Sequence, residues 1–502
     1  MSPGDGWRRL SPRMLAVQPV LELVRAIPAI LGVAIIGSGS GRGGQWALAA
    51  AVLFAAIGTL RWLTTTYRIT PEQVQLRRGL LRRQVLSVSR DRVRTVDVTA
   101  SPLHRVVGLA RVQVGTGHGG RSKDQSLTLD GLGAADAARL RGELLHRAAA
   151  PGLEAPEAPA AAAPERELAR LDPAWIRFGP FTLSGVAALA LALALAARLA
   201  SETDVDPEDF GILRDLVDHL TGIPTAAAVA EVAAALLVVV VLASTGGYVL
   251  SYWGFRLTRH EGGTLHVRRG LLTTRAVSIE ERRLRGVEVG DTPLLRAAGG
   301  ARCTAIATGL RRGEGASRGG SLLLPPAPRA EAERVAGLVL GDPAPATAPL
   351  TPHGPAARRR RHTRALGTVA LVAAALLAAD LLGAWPAWPW IAALALLPLA
   401  ALLAADRYRS LGHALVGPWL VVRSGSLRRR RAMLATDGVI GWNVRRSYFQ
   451  RRLGLATLTA TTAAGRQRYL ALDVDEAEAL RIARAATPGL LDPFLAEDAP
   501  GR

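Results

Sequence analysis

Arginine is the side chain that this sequence offers for chemistry, and it comes in clusters. Arg77, Arg78, Arg82 and Arg83 flank one Gly-Leu-Leu turn, Arg268, Arg269 and Arg275 flank a second, and Arg428, Arg429, Arg430 and Arg431 follow a third turn glycine. Guanidinium groups gathered in this way contact phosphates, carboxylates or anionic surfaces. Near an anionic leaflet each is worth about 1 kcal/mol, so a cluster of four could hold a module on a membrane. The competing reading makes them solvated turn residues. Arg358–Arg361 form a further cluster, read as a topology signal that binds nothing specific. Three more arginines, Arg105, Arg296 and Arg451, each stand three residues before a glycine. A structural role is expected for them, capping carbonyls of the turn or pairing with a nearby acid such as Asp97.

No catalytic constellation accompanies these cations. Nucleophilic catalysis needs Ser or Cys within reach of a histidine held by a carboxylate. The nine histidines are assigned to turns, linkers or loops, among them His118, His260, His353 and His362, and none recurs at a fixed spacing. Cys303 is the one cysteine, which excludes a disulfide framework and any CxxC metal site. It lies in an alternating apolar segment and reads as a small buried hydrophobe. No His/Cys/Asp cluster has metal-ligand spacing. Two glycine-rich pieces, Gly37–Gly44 and Gly115–Gly120, lack the strand-loop-helix context and the Lys-Ser/Thr of a phosphate loop. Neither an enzyme, a cofactor nor a metal is expected.

The elements that position the arginines repeat. From Gly79, Gly270 and Gly425 the corner glycines Gly108, Gly299 and Gly454 each lie 29 residues on (108−79, 299−270, 454−425). The corner arginines Arg105, Arg296 and Arg451 keep step at 26 residues. One spacing held three times marks a repeated unit. Within a unit the apolar residues alternate, as in Val74, Leu76, Val85, Val88, Val96, Val98, Val112 and Val114, with glycine turns between: short antiparallel strands. Each unit closes on a helical pattern, Ala134–His146, Ala330–Leu340 and Asp475–Ala486, the last with Asp473 and Asp475 as capping oxygens. Six or seven strands and one helix suit a small barrel or sandwich capped by that helix.

Apolar runs separate the units. Of 502 residues 49 % are hydrophobic but only 5 % aromatic, a membrane-like bias, and the net charge is +21 with Lys123 the only lysine. A basic excess of this size points to nucleic acid or to the inner face of a membrane. Six spans in three pairs are expected, within 20–63, at Phe178–Ala200 and Ala226–Tyr248, and at Ala365–Gly383 and Trp390–Ala405. A signal peptide is the rival reading of the first run, disfavoured because a second run follows at once. The loop Ser201–Thr225 carries seven acids against Arg214, and the turn Trp385–Trp390 carries no charge, whereas arginines flank the opposite helix ends. The positive-inside rule then puts both termini and all three units in the cytoplasm. Nucleic acid is disfavoured, because the clusters are not interleaved with aromatics. Glu231 and Asp380, acids in otherwise apolar runs, are placed near the outer helix ends rather than on a proton path.

The expected layout is therefore a segment 1–19, hairpin 20–63, module 64–147, linker 148–175, hairpin 176–250 with its acidic external loop, and module 251–340. A linker 341–364, hairpin 365–405, module 406–487 and tail 488–502 complete it. Both linkers are Ala/Pro-rich and read as flexible or extended tethers.

The start Tyr67-Arg-Ile-Thr70, the turn Arg77-Arg-Gly-Leu-Leu81, the strand Asp91-Arg-Val-Arg-Thr-Val-Asp-Val98 and the corner Leu103–Ala110 resemble bacterial pleckstrin-homology-like domains (bPH2, DUF304). The second unit matches with Phe255-Arg-Leu-Thr258 and Arg268-Arg-Gly-Leu-Leu272; in the third, Tyr408-Arg-Ser410 replaces the start and Ser424 the turn arginine. Paired helices with three such units resemble the YdbT-type multi-pass membrane proteins. The resemblance implies split β-barrels, each capped by a C-terminal helix, at a bacterial inner membrane, and no reaction. The expected function is a non-enzymatic membrane protein whose three cytoplasmic modules bind protein or anionic lipid, in a scaffold or envelope-stress tolerance role. Membrane lipids and a protein, for instance another membrane protein of this type, are the expected partners. The alternative is an exporter or peptide-tolerance transporter that uses the six-helix bundle.

Overall fold

The computed structural model describes residues 7–38, 42–70, 72–79, 84–89, 95–115, 127–145, 165–182, 190, 194, 211–309, 321–383 and 386–490. Arg82, Arg83, His118, most of the expected span Phe178–Ala200 and most of the first linker lie outside them. Two compact units make up the chain, 1–281 and 282–502. The boundary falls inside the second repeat.

Repeat one comprises β1 (Arg8–Arg9), α1 (Met14–Ser38), α2 (Gly43–Leu63), β2 (Thr66–Ile69), β3 (Gln73–Arg78), β4 (Gln84–Ser89), β5 (Thr95–Ala100), α3 (Pro102–Val106), β6 (Leu109–Gly115), β7 (Leu127–Gly133) and α4 (Ala134–Leu145). Repeat two adds β8 (Arg166–Arg170), α5 (Gly211–Gly222), α6 (Thr225–Tyr252), β9 (Arg256–His260), β10 (Thr264–Arg269) and β11 (Thr274–Glu280) to the first unit. Its remainder lies in the second unit: β12 (Leu284–Asp291), α7 (Pro293–Ala297), β13 (Gly300–Ala307), β14 (Leu322–Pro328) and α8 (Arg329–Leu340). A short α9 (Ala344–Thr347) leads into repeat three: α10 (Gly354–Leu381), α11 (Trp388–Ala395), α12 (Leu397–Arg409), β15 (Gly412–Val416), β16 (Trp419–Ser424), β17 (Arg429–Ala435), β18 (Gly441–Arg445), α13 (Tyr448–Arg451), β19 (Leu455–Thr461), β20 (Arg468–Asp475) and α14 (Glu476–Ala486).

Sheets do not follow repeats one by one. Their strand orders are β1-β2-β3-β4, β7-β6-β5-β11-β10-β9-β8, β14-β13-β12-β17-β16-β15 and β18-β19-β20, all pairings antiparallel. The second meander of one repeat thus continues into the first meander of the next: β5 pairs with β11, and β12 with β17. Alternation dictates the inward faces, and Val74, Leu76, Val96, Val112, Val114, Leu127 and Leu129 from both meanders of repeat one share one core with Ala137 and Leu140 of α4. Repeat three repeats this arrangement, with Leu420, Val422, Leu458 and Ala471 against Ala479, Ile482 and Ala483 of α14.

The repeated glycines have a backbone cause. Gly79, Gly270 and Gly425 adopt φ of 115°, 106° and 102°, and a Cβ on Gly270 or Gly425 would stand 2.1 Å from the carbonyl oxygen of Thr273 or Arg428. The corner glycines Gly108, Gly299 and Gly454 take φ of 70°, 73° and 64°, the left-handed step that ends each corner helix.

Three helical stretches among the described residues are long and apolar enough to cross a membrane: Thr225–Tyr252, Gly354–Leu381 and Trp388–Arg409, the last interrupted at Leu396 between α11 and α12, where Pro398 removes a helix donor. Helices α1 and α2 pack on one another, and α2 leaves Trp46, Leu48, Val52 and Leu53 exposed. The expected acidic loop holds the helix α5.

Two linker expectations are corrected. The stretch 341–364 is not an extended tether: Pro345 and Ala346 of α9 are buried, and α10 already begins at Gly354, so the Arg358–Arg361 cluster is helical. Residues 166–170 of the first linker form β8 on the edge of β9. β1 before α1 plays the same part against β2, and the bridge between Thr351 and His413 does so before α10. The helices of each repeat therefore follow a short segment that pairs with the repeat's first strand after them: β1 with β2, β8 with β9, and Thr351 with His413 of β15.

Candidate functional site

The first turns of α10 and the face of β18-β19-β20 enclose a cleft of about 690 Å³. Continuous helix carries the apolar span and the cationic root together, so Arg360, Arg361 and Arg364 come from the base of a membrane-capable helix. Alternation along the strands points Asn443 and Arg445 of β18, Thr457, Thr459 and Thr461 of β19, and Arg468 and Leu470 of β20 to the same side. Five arginines line the cleft against one carboxylate, Asp473.

That carboxylate is fully committed. Its side chain is 1 % exposed, forms an ion pair with Arg360, lies 2.6 Å from Arg361 Nη2 and accepts from Gln450 Nε2 at 2.8 Å. Arg360 also donates to Ser447 Oγ at 3.3 Å. The backbone of Asp473 has φ of 58°, at the bulge where β20 shifts register against β19. Sequence reading made Asp473 a helix cap; only Asp475 caps α14, accepting from Ala477 N at 3.0 Å. The bulge turns Asp473 inward instead. Arg364, Arg445 and Arg468 are exposed and have no carboxylate partner among the described residues. The cleft is thus walled by two arginines that share one carboxylate and rimmed by three further cations, an arrangement suited to a multiply charged anion.

The arginine clusters at the turns are placed differently. Arg269 is buried against the Tyr252 ring, 5.3 Å from its centroid, and with Arg275 faces Asp97. Burial pushes the Asp97 carboxyl up to about 6, with Arg275 and Arg269 opposing. Arg429 Nη2 lies 3.0 Å from Asp291, Arg430 Nε 3.4 Å from Glu288, and Arg431 donates to the carbonyls of Pro345 and Ala348 at 2.8 and 2.7 Å. Burial lowers the Arg431 guanidinium to about 10. These residues join one repeat to its neighbour rather than facing outward. Arg77 and Arg78 are half-buried on β3, while Arg268 and Arg428 are exposed. No periodicity distinguishes the two groups, because a strand pairing across repeats leaves no mark on the alternation of either strand.

Two of the three corner arginines act across repeats too. Arg105 caps the Leu271 carbonyl, in the turn of repeat two, and does not pair with Asp97. Arg296 reaches Asp406 at 3.1 Å and Asp291 at 3.4 Å. Arg451 is exposed, with no side-chain partner among the described residues.

Several histidines are not in loops. His104, in α3, is buried 3.0 Å from Asp130, His260 and His266 lie on β9 and β10, and His413 on β15 meets His353 at 3.0 Å and Glu478 at 3.1 Å. Glu231 lies 2.9 Å from His219 of α5, and Asp380 accepts from Trp390 Nε1 at 3.0 Å, both near the hairpin turns.

No curated protein and no solved structure matches the chain significantly. The bacterial PH domain model matches three times, over residues 22–148, 213–342 and 365–485, each match running from a helical hairpin through six strands to the closing helix. These matches take in most of the chain, which therefore belongs to the bacterial PH domain family.

Proposed function

We propose that this is a non-enzymatic protein of the bacterial cell membrane, with termini and modules cytoplasmic, that holds an anionic group at the root of α10. In this reading each repeat is a helix-capped split barrel hung from a membrane hairpin. The observation that carries it is the convergence of Arg364, Arg445 and Arg468 on a cleft beside the first turn of a membrane-capable helix. A site there lies where lipid headgroups are, and anionic headgroups offer the charge it lacks. The modules then serve as a scaffold on the inner leaflet, the basis of an envelope-stress or tolerance role.

Two measurements test this. Reporter fusions at Gly119, Ala316 and Arg466 should all report cytoplasm, and one external reporter sinks the topology. Calorimetric titration of the full chain, in phosphatidylcholine nanodiscs, with glycerol phosphate should show binding that Arg445→Ala with Arg468→Ala weakens at least tenfold. Equal affinity in the double variant would remove the cleft from the account.

A further inference from the structure

The two junctions inside the chain obey one rule. At the first, Thr274 pairs with Ala100; at the second, Arg429 pairs with Asp291. Thr274 and Arg429 each stand 4 residues after their repeat glycine (274−270, 429−425), and Ala100 and Asp291 each stand 21 after theirs (100−79, 291−270). The remaining pairs follow in step, so both junctions share one register. Both are also sealed alike, by the corner arginine of the earlier repeat reaching towards the turn of the later one: Arg105 to the Leu271 carbonyl, and Arg296 to Asp406, which also accepts from Ser426.

Applied once more, the rule finds no paired strands among the described residues. β4 is the last strand of its sheet and β18 the last of its own. Neither edge has a strand partner among the described residues: Val85 is 57 % and Val444 39 % exposed, whereas their counterparts at the first used junction, Ala276 on β11 and Val98 on β5, are half-buried. Arg451 is exposed, with no side-chain partner among the described residues, where Arg105 and Arg296 are engaged. Charge follows the same division. The used junctions set Arg275 near Asp97 and Arg430 near Glu288, each arginine 5 residues after its glycine (275−270, 430−425) and each acid 18 (97−79, 288−270). At the open edges the equivalent positions hold Gln84 (84−79) and Asn443 (443−425), two amides that suit one another and strand no charge. An edge strand with unpaired backbone groups recruits a strand, and a head-to-tail contact of this kind links copies in series.

We propose that β18 of one molecule pairs antiparallel with β4 of a second copy, in the register used twice within the chain, with Val444 opposite Val85 and Gly441 opposite Val88. Repeat three of one copy then continues into repeat one of the next. The pairing goes beyond ligand binding but rests on both edges lying on one side of the membrane, which the reporter fusions test separately.

Cross-linking tests it. Opposed strand residues have Cα atoms about 4.5–5.5 Å apart, within disulfide range. Differently tagged full-length chains carrying Val85→Cys or Val444→Cys, co-expressed and mildly oxidised in membranes, should give a mixed disulfide dimer at least tenfold above either variant alone. Moving the second cysteine one position, to Asn443→Cys, should lower the yield as strongly, because neighbouring side chains face opposite ways. Arg451→Glu should lower it several-fold. Both valines are exposed, so the replacements leave the fold intact, and the wild-type chain with its buried Cys303 is the blank. A mixed dimer no more abundant than the single-variant background overturns the proposal. So does a link formed only inside one chain carrying both cysteines, or single-copy mass throughout for the wild type in native nanodiscs. Absent links with all reporters cytoplasmic would sink this pairing while leaving the topology standing.

Discussion

Nη2 of Arg296 lies 3.1 Å from Oδ2 of Asp406, which ties the corner of repeat two to the last turn of α12, just before the strands of repeat three. A second oxygen of the same neighbourhood, Asp291 Oδ1, sits 3.4 Å from Arg296 Nη1, and Arg429 closes on Asp291 from the adjoining strand at 3.0 Å. Two carboxylates and two arginines thus interlock at one junction. At the corners of repeats one and two the arginine answers to the joint between repeats, not to a turn within one.

Asp291 is the buried centre of that joint, with a 6 % exposed side chain facing Arg296, Arg429 and Arg329. Asp291→Asn should leave the arginines with one fewer charge to answer and cost about 3 kcal/mol, in the range for breaking a buried pair. Thermal unfolding of the detergent-solubilised chain measures it. A loss below about 1 kcal/mol would mean the joint is held by strand pairing alone.

Gly270 and Gly425 make a backbone prediction. Alanine at either position would place Cβ 2.1 Å from a carbonyl oxygen at a φ above 100°, so the turn must open. Gly270→Ala or Gly425→Ala should destabilise by about 2 kcal/mol or more, whereas Gly262→Ala, with nothing within 4 Å, should be near neutral. Paired melting curves distinguish them.

The repeat was legible because those two constraints are local: a turn at positive φ demands glycine wherever it occurs, and the letter survives in all three copies. Strand alternation was legible for the same reason, and Val74, Leu76, Val96, Val112 and Val114 are inside as their spacing requires. What could not be read is anything settled by a distant partner. Arg430 and Arg428 differ by two places in one run, yet one meets Glu288 and the other is exposed. β1 has two residues, too few for any period, and declares itself only by pairing with Thr66 and Tyr67 across an inserted hairpin. The arginine cleft draws on α10, β18, β19 and β20, and its Arg360–Asp473 pair spans residues that no local spacing relates.

That pair gives the next expectation. Arg360 and Arg361 have side chains 11 % and 13 % exposed, and Asp473 pairs with both. Asp473→Asn keeps a residue tolerant of positive φ but strands two buried cations, and should cost about 3–5 kcal/mol. Combining it with Arg360→Met and Arg361→Met should recover most of that loss. No recovery in thermal unfolding would mean that Asp473 stabilises through the bulge and not through charge.

The exporter reading predicts that Glu231→Gln or Asp380→Asn abolishes flux. Each acid already has a neighbour near its hairpin turn, His219 for Glu231 and the Trp390 indole for Asp380. An amide oxygen accepts from the same donors, so both variants should fold with less than about 1 kcal/mol lost and should leave any tolerance phenotype intact. Loss of resistance in both, with normal amounts of protein in the membrane, would revive a proton path.

His353 and His413 give the chain a pH dependence. Nδ1 of His353 donates to the Leu472 carbonyl at 2.7 Å, so its Nε2 accepts from His413 Nδ1 at 3.0 Å, and His413 Nε2 meets Glu478 at 3.1 Å. Burial holds His353 down to about 4 against an ordinary 6.5, and the adjacent His413 and Arg361 act in the same direction. A proton on His353 would set an N–H against the donor of His413. Because the folded value lies below the unfolded one, this contribution is complete above about pH 6.5 and is lost as pH falls through about 4, a change on the order of 3 kcal/mol. Melting temperature measured from pH 7 to pH 4 should therefore fall more steeply for the wild type than for His353→Gln, which cannot titrate. Parallel curves for the two proteins would show that the histidine pair does not carry the acid sensitivity.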